Sequence, residues 1–540
     1  MRLLLAASAL ALLASAPAAG QSAPAPGDKS KSLDALHSEA MIELAKTGYS
    51  DAPVEERTVQ TRHSAAVSGR TLPYTATAGT LTVRDNAGKP KASIFYTAYT
   101  LDGAPSGHRP VMFFYNGGPG SASLWLRMGS FGPMRLQTGN PEAMRPAPFN
   151  FGANPDTLLG STDMVFIDAP GTGYSRALGD AKGSDFYGVD QDADAFARAI
   201  IRYVTKFNRW DSPKFLFGES YGTTRSGALA YQLQDRGMAL NGVVLLSSIM
   251  NYGRRQPGLD RDYLNYLPSY AATAWYHHKM QNAPATVDQA AAQARAFAQG
   301  AYATALEKGQ TISPEERTAV AQQMSALTGL SPDFIQRSNL RVDLSRFRKE
   351  LMRSERQTIG RYDSRYTGID PDAAGDSPEY DASDTAISGA FIGTLNTYLA
   401  RDLNYQTNLA YRASASEEEG FKWDWSHKAP GARNPLQSPD TALDLAAAMR
   451  ENPYLKVLSL NGWYDMATPF FGTEYDLNHM MLEPAQQRNL EYRYYPSGHM
   501  VYLNPDALHA MRLDVERFIY QAVGEAQAGA PAAPAPRRRR

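Results

Sequence analysis

The chain has 540 residues, 43% of them hydrophobic, enough to bury a large core. Its 54 basic and 55 acidic side chains nearly cancel, which argues against a nucleic-acid binder or a charge-steered partner. There is no cysteine, which excludes disulfides, a thiol nucleophile, a thiolate zinc site and an iron–sulfur cluster.

Met1-Arg2 is followed by LLLAASALALLASAPAAG: one positive charge, a short apolar run, then small residues. Residues 1–20 therefore read as a secretory signal peptide, cut between Ala16 and Gln21. Export to the periplasm or the exterior of a bacterium is expected. Residues 21–55 read as a leader, disordered over QSAPAPGDKSKS. No later segment carries a long uncharged apolar run, so no membrane span is expected.

From residue 56 the pattern changes to strands. TLPYTATAGTLTV and ASIFYTAYTL flank the turn Asp85-Asn86-Ala87-Gly88. Val111 to Tyr115 is a continuous apolar run ahead of a glycine turn, as a buried strand reads. The same grammar recurs. Asp163 to Asp168 ends at APGTGYS, Lys214 to Phe217 at GES, Lys456 to Leu460 at Asn461-Gly462, and Leu490 to Tyr495 at PSGHM. Gly242 to Ser247 is a further strand, and 189–207 and 222–236 read as helices. Alternating strands and helices predict a mostly parallel, helix-covered sheet.

Residues 255–450 break this rhythm. They are rich in Ala, Gln, Arg and Glu, with helical stretches at 286–307 and 314–327. The expected architecture is an α/β-hydrolase fold: core at 56–254 and 451–524, a largely helical lid inserted at 255–450, and a disordered Ala/Pro/Arg tail at 525–540. Tyr263, Tyr266, Trp275 and Tyr276 in the lid either line a pocket or fill the lid core.

GESYG at 218–222 sits between a strand and a helix, as a nucleophile elbow does. The sharp turn presents Ser220 at a helix N-terminus, and Gly218 and Gly222 leave room for it. A serine nucleophile needs a base, and the base an orienting carboxylate, in the chain order Ser, Asp or Glu, His. Of nine histidines, His499 directly follows a late strand. Asp465 follows the strand before it; its alternative role is a helix N-cap, and Asp476 is the weaker competitor. The backbone N–H of Tyr221 and one from Asn116-Gly117-Gly118-Pro119-Gly120 would stabilise an oxyanion. Arg225, one helical turn beyond Ser220, either meets a carboxylate of the substrate or is structural. No metal or other cofactor is required, since HExxH, P-loop and GxGxxG strand–helix signatures are absent.

Together, NGGPGSAS at 116–123, FIDAPGTGYS at 166–175, GESYG at 218–222, NGWYD at 461–465 and GHM at 498–500 resemble the serine carboxypeptidase family, peptidase family S10. The resemblance covers roughly residues 110–250 and 455–505 and not the lid. It implies an exopeptidase acting on peptides with a free C-terminus, often at acidic pH. It implies Gly118 and Tyr221 as oxyanion donors, and Asn116, the Gly117 backbone and Glu219 as ligands of the substrate's terminal carboxylate. A protonated Glu219 would donate a hydrogen bond where a charged one would repel. The family's second glutamate, fourteen residues after the loop asparagine, is Ser130 here, so the carboxyl pair is not reproduced. Ser121 stands where many members have a disulfide cysteine. An esterase or an acyltransferase of the same family would use the same triad, and a non-catalytic hydrolase-fold binding protein would have no need of it. Oligomeric state is not legible.

Overall fold

The computed structural model describes residues 52–67, 69–105, 107–418 and 420–524. The expected signal peptide, most of the leader and the Arg-rich tail lie outside the described residues. Three strands open the described chain: β1 (Thr58–Val67), β2 (Arg70–Arg84) and β3 (Pro90–Leu101). The turn between the last two closes with Gly88 N donating to Asp85 O at 3.0 Å. Then follow β4 (Val111–Tyr115), the ribbon β5 (Met134–Leu136) and β6 (Phe151–Ala153), β7 (Asp163–Ile167), the short β8 (Arg176–Ala177), β9 (Lys214–Glu219) and β10 (Gly242–Leu246). A second ribbon, β11 (Gln357–Ile359) and β12 (Thr367–Ile369), precedes β13 (Lys456–Gly462) and β14 (Leu490–Tyr495).

The main sheet runs β1-β2-β3-β7-β4-β9-β10-β13-β14. β1, β2, β3 and β7 pair antiparallel, and every pair from β7 to β14 is parallel. This mostly parallel sheet with helices against it is the α/β-hydrolase fold. The strands need no alternation because both faces are covered. Met112, Phe114, Phe166, Phe215 and Phe217 point into one core cluster. Val111, Phe113, Tyr115, Val165 and Leu216 point into the other, against the helices Val189–Lys206 and Tyr221–Asp235. Burying each such side chain contributes about 1.5–3 kcal/mol.

Parallel strands end on the same edge. Tyr115, Ile167, Glu219, Leu246, Gly462 and Tyr495 close their strands there, and the candidate site residues lie at this edge: Glu219 at the end of its strand, Tyr221 at the start of the next helix and the others in the loops that follow.

Between β10 and β13 the chain is mainly helical. The expected helix over 286–307 is two helices, Val287–Gln299 and Ala301–Glu307, parted at Gly300. Tyr266, Tyr270, Phe297 and Tyr302 fill a third cluster, which reaches Trp463 and Phe470 beside β13. Tyr263 and Tyr266 also line a cavity of about 540 Å³, whereas Trp275 and Tyr276 pack against the cluster. Among the described residues no helix is long and apolar enough to cross a membrane.

Candidate active site

Ser220 occupies the turn between β9 and the helix Tyr221–Asp235, with φ of +61°. A left-handed backbone is costly for a residue with a Cβ and is held only where the surroundings fix it. Here Ser220 N donates to Leu246 O at 3.0 Å, on the neighbouring strand. The turn is so tight that a Cβ on Gly218 would lie 2.3 Å from Gly222 O. Ser220 remains partly exposed and lines a cleft of about 120 Å³ with Asn116, Gly117, Gly118, Glu219 and His499.

His499 and Asp465 meet across the loops after β14 and β13. His499 Nδ1 lies 2.9 Å from Asp465 Oδ2, with both side chains buried. The imidazole is flanked by Thr468, whose hydroxyl donates to Asp465 Oδ2 at 2.8 Å. Asp465 Oδ1 accepts from Ala467 N at 2.8 Å and Thr468 N at 2.9 Å, so the carboxylate is fixed by its own loop. It is not the N-cap of the next helix, Phe470–Asn478, a position held by Pro469. Asp476 is used elsewhere: it accepts from Met250 N at 3.1 Å, Asn251 N at 3.2 Å and Arg254 Nε at 3.0 Å. Burial pulls the His499 pKa down, but the charge and hydrogen bond of Asp465 outweigh it and leave it raised. Ser220 and His499 share the cleft, and in this conformation no hydrogen bond joins their side chains.

Glu219 is 3% exposed. Its Oε2 accepts from Asn116 Nδ2 and from the Tyr502 hydroxyl, each at 2.9 Å. Burial pushes its pKa up to about 7, although His499, Tyr502 and Asn116 all favour the charged form. The carboxyl is therefore half protonated near neutral pH and neutral below it. Because both donors sit on Oε2, the proton of the acid form belongs on Oε1.

The glycine loop is seated on the elbow. A Cβ on Gly117 would lie 2.4 Å from Tyr221 N and 2.6 Å from Gly222 N. Gly118 follows with φ of +105°. The two proposed oxyanion donors thus belong to backbones in direct contact. Asn116 is tied on every side: Leu126 N donates to its Oδ1 at 3.1 Å and Arg225 Nη1 to its carbonyl at 2.8 Å. Arg225 is fully buried, and its Nε and Nη2 hold Asp192 at 2.6 and 3.1 Å. Its fork is thus taken up by Asp192 and the Asn116 carbonyl, which is the structural one of the two roles considered.

Ser130 is buried and its hydroxyl donates to Leu126 O at 2.6 Å. Tyr502 approaches Glu219 instead, its ring lying over Gly129, where a Cβ would sit 2.8 Å from ring carbons. Sequence reasoning misses Tyr502, although it lies only three residues beyond His499. It also misses Tyr362, from the inserted segment. The Tyr362 carbonyl accepts from His499 N at 2.6 Å, and its ring lies 5.3 Å from the imidazole, tilted by 41°.

The family model for serine carboxypeptidases, peptidase S10, matches residues 68–503. A curated relative, serine carboxypeptidase S10 family member 1 of Dictyostelium discoideum, is 23% identical over 170 residues. That match spans 31% of this chain and only 38% of the relative. Among solved structures, Est816, described as an N-acyl homoserine lactone degrading enzyme, aligns with TM-score 0.33 and 12% identity over 80% of this chain and 98% of its own. A soluble variant of monoglyceride lipase from Saccharomyces cerevisiae aligns with TM-score 0.33 and 10% identity, over 80% and 92%. With more than three quarters of its length matched by the family model, the chain belongs to the serine carboxypeptidase family.

Proposed function

We propose that the protein is a serine carboxypeptidase that releases C-terminal residues from peptides after export from the cell. The observation that carries this reading is the buried, protonatable Glu219 in one cleft with Ser220 and the His499–Asp465 pair. Family membership supports serine hydrolase chemistry; Glu219 supports a free carboxylate as the feature recognised.

Ser220 Oγ attacks the carbonyl carbon of the last peptide bond while His499 Nε2 takes its proton. Asp465 keeps the imidazole turned so that Nδ1 carries the other proton, and stabilises the imidazolium that forms. The oxyanion is met by the N–H groups of Gly118 and Tyr221, fixed in advance by the contact between their loops. His499 returns the proton to the departing amine. Water then repeats the sequence on the acyl-enzyme. Below about pH 7 the neutral Glu219 donates to the terminal carboxylate, joined by the Gly117 N–H and the second N–H of Asn116 Nδ2. Above it, two negative charges face each other and binding weakens.

The test uses an N-blocked dipeptide as free acid, as amide and as ester, from pH 4 to 9, with Ser220→Ala as control. Rapid cleavage of the free acid over the amide, abolished by S220A, is expected. Cleavage of the ester alone would move the reading to an esterase or acyltransferase, and equal cleavage of acid and amide to an endopeptidase.

A further inference from the structure

Arg361 lines the same cleft as Ser220, Glu219 and His499. It comes from the inserted segment, two residues after β11, and its backbone is held on both sides. Its N–H donates to Asp381 Oδ1 at 2.9 Å, and its carbonyl accepts from Met466 N at 3.1 Å, one residue beyond Asp465. The guanidinium carbon lies 5.2 Å from the ring centre of Tyr362, whose ring lies tilted beside that of His499. Arg361 is thus tied directly to the loop of Asp465, and to that of His499 through its neighbour Tyr362.

Three other arginines of this region approach carboxylates. Arg365 holds Asp363 at 2.6 Å, Arg348 approaches Asp381 at 3.7 Å, and Arg255 approaches Asp262 at 3.8 Å. Among the described residues, no carboxylate lies within ion-pairing distance of Arg361. A guanidinium keeps its charge at every working pH and presents a planar fork matched to a carboxylate. In a narrow, half-buried cleft that charge is less screened than on an open surface. The other titratable groups lining the cleft are Glu219, His499 and Asp384. Asp384 is engaged by Ser388 Oγ at 3.1 Å, and burial favours its neutral form. A cation in a cleft that holds a neutral Glu219 leaves an anion as the missing partner.

We propose that Arg361 binds the terminal carboxylate of the substrate and, in place of a second carboxylic acid, joins Glu219 in selecting a free C-terminus. This rests on the carboxypeptidase reading for the identity of the anion. It also gives the site a way to hold a carboxylate above pH 7, where Glu219 alone repels it.

The test is calorimetric binding of an N-acetylated dipeptide acid and its amide at pH 6 and 8, in the S220A background so that nothing is turned over. S220A is expected to prefer the acid by about tenfold or more at both pH values. Adding Arg361→Gln should weaken acid binding by about 10–100-fold, most at pH 8, with amide binding unchanged. Arg361→Lys should restore part of the preference. The backbone ties of Arg361 survive substitution and only its packing on Tyr362 is lost, so each variant is melted beside S220A and the acid-to-amide ratio, which a loss of folding leaves unchanged, carries the test. An acid-to-amide ratio that is the same with and without R361Q overturns the proposal, as does an equal loss for both ligands or no acid preference in S220A. Turnover by the wild type is read separately: a protein that hydrolyses only esters yet shows the Arg361-dependent acid preference would refute the peptidase reading and leave the binding site standing.

Discussion

The Tyr502 hydroxyl donates to Glu219 Oε2 at 2.9 Å, onto the oxygen that Asn116 Nδ2 also reaches. A phenol that donates favours the carboxylate, so it holds the Glu219 pKa below where burial alone would put it. Tyr502→Phe removes that donor while keeping the ring over Gly129. The pKa of Glu219 should rise by about one unit, the worth of a hydrogen bond to a charged group. The alkaline limb of kcat/KM for a free-acid substrate, expected near pH 7 in the wild type, should move up by the same amount. Glu219→Gln should abolish that limb, since an amide donates at any pH. An unchanged alkaline limb in both variants would remove Glu219 from carboxylate binding. On the proposed mechanism the acid limb is that of His499. Glu219 helps raise the His499 pKa only while charged, so E219Q should also shift the acid limb to lower pH.

Asp465→Asn puts an amide where two oxygens now accept four contacts, from Ala467 N, Thr468 N, Thr468 Oγ1 and His499. The shape is kept, but the imidazole loses its acceptor and takes the wrong tautomer. The expected fall in kcat is about 10⁴-fold with little change in KM. Ser220→Ala should cost about 10⁶-fold. A D465N enzyme within tenfold of wild type would mean that Asp465 does not orient His499 in the reaction.

Gly117 rests on the elbow with no room for a side chain: a Cβ would meet Tyr221 N at 2.4 Å, and backbone cannot swing aside as a side chain can. Gly117→Ala should therefore push the loop carrying Gly118 away from Tyr221. Displacing one oxyanion donor lowers kcat by about 10²–10³-fold. KM for an amide substrate should change less. A G117A enzyme with wild-type kcat would show that the seating of this loop does not place the oxyanion donors.

Much of the sheet is legible in the sequence because a strand buried on both faces reads as an unbroken apolar run, and Val111–Tyr115 and Gly242–Leu246 do so. The order of the late loops likewise singles out Asp465 over Asp476, whose charge is taken up by Arg254. Contacts across the insertion are a different matter. Tyr362 meets His499 over 137 positions and Tyr502 meets Glu219 over 283, and no local period encodes such pairs. Arg225 shows the same limit from another side. Spacing puts it one turn beyond Ser220, but only the packing of Val189–Lys206 against that helix, which brings Asp192 to it, explains why it points inward. The break at Gly300 falls in an otherwise uniform helical pattern, where one glycine costs about 1 kcal/mol and tertiary packing decides.

His427 is buried between two carboxylates, with Nδ1 2.6 Å from Asp190 and Nε2 2.8 Å from Asp444. It clamps a loop of the inserted segment to the helices Val189–Lys206 and Ala442–Glu451. Burial opposes its charge, but the two hydrogen bonds prevail and the pKa rises to about 9. A histidine raised in the folded state binds its proton more tightly there than when unfolded. Its contribution is therefore full below its unfolded pKa of about 6.5 and is lost as pH rises through about 9. The melting temperature should fall across this window. His427→Gln should melt lower than the wild type at pH 6 and show little of that decline, the two curves converging above pH 9. Activity at pH 6 and low temperature should persist in H427Q, because none of the cleft residues touches this clamp. A wild-type melting temperature that stays level from pH 6 to 10 would mean that His427 is held neutral between its two carboxylates, and that packing alone fixes the loop.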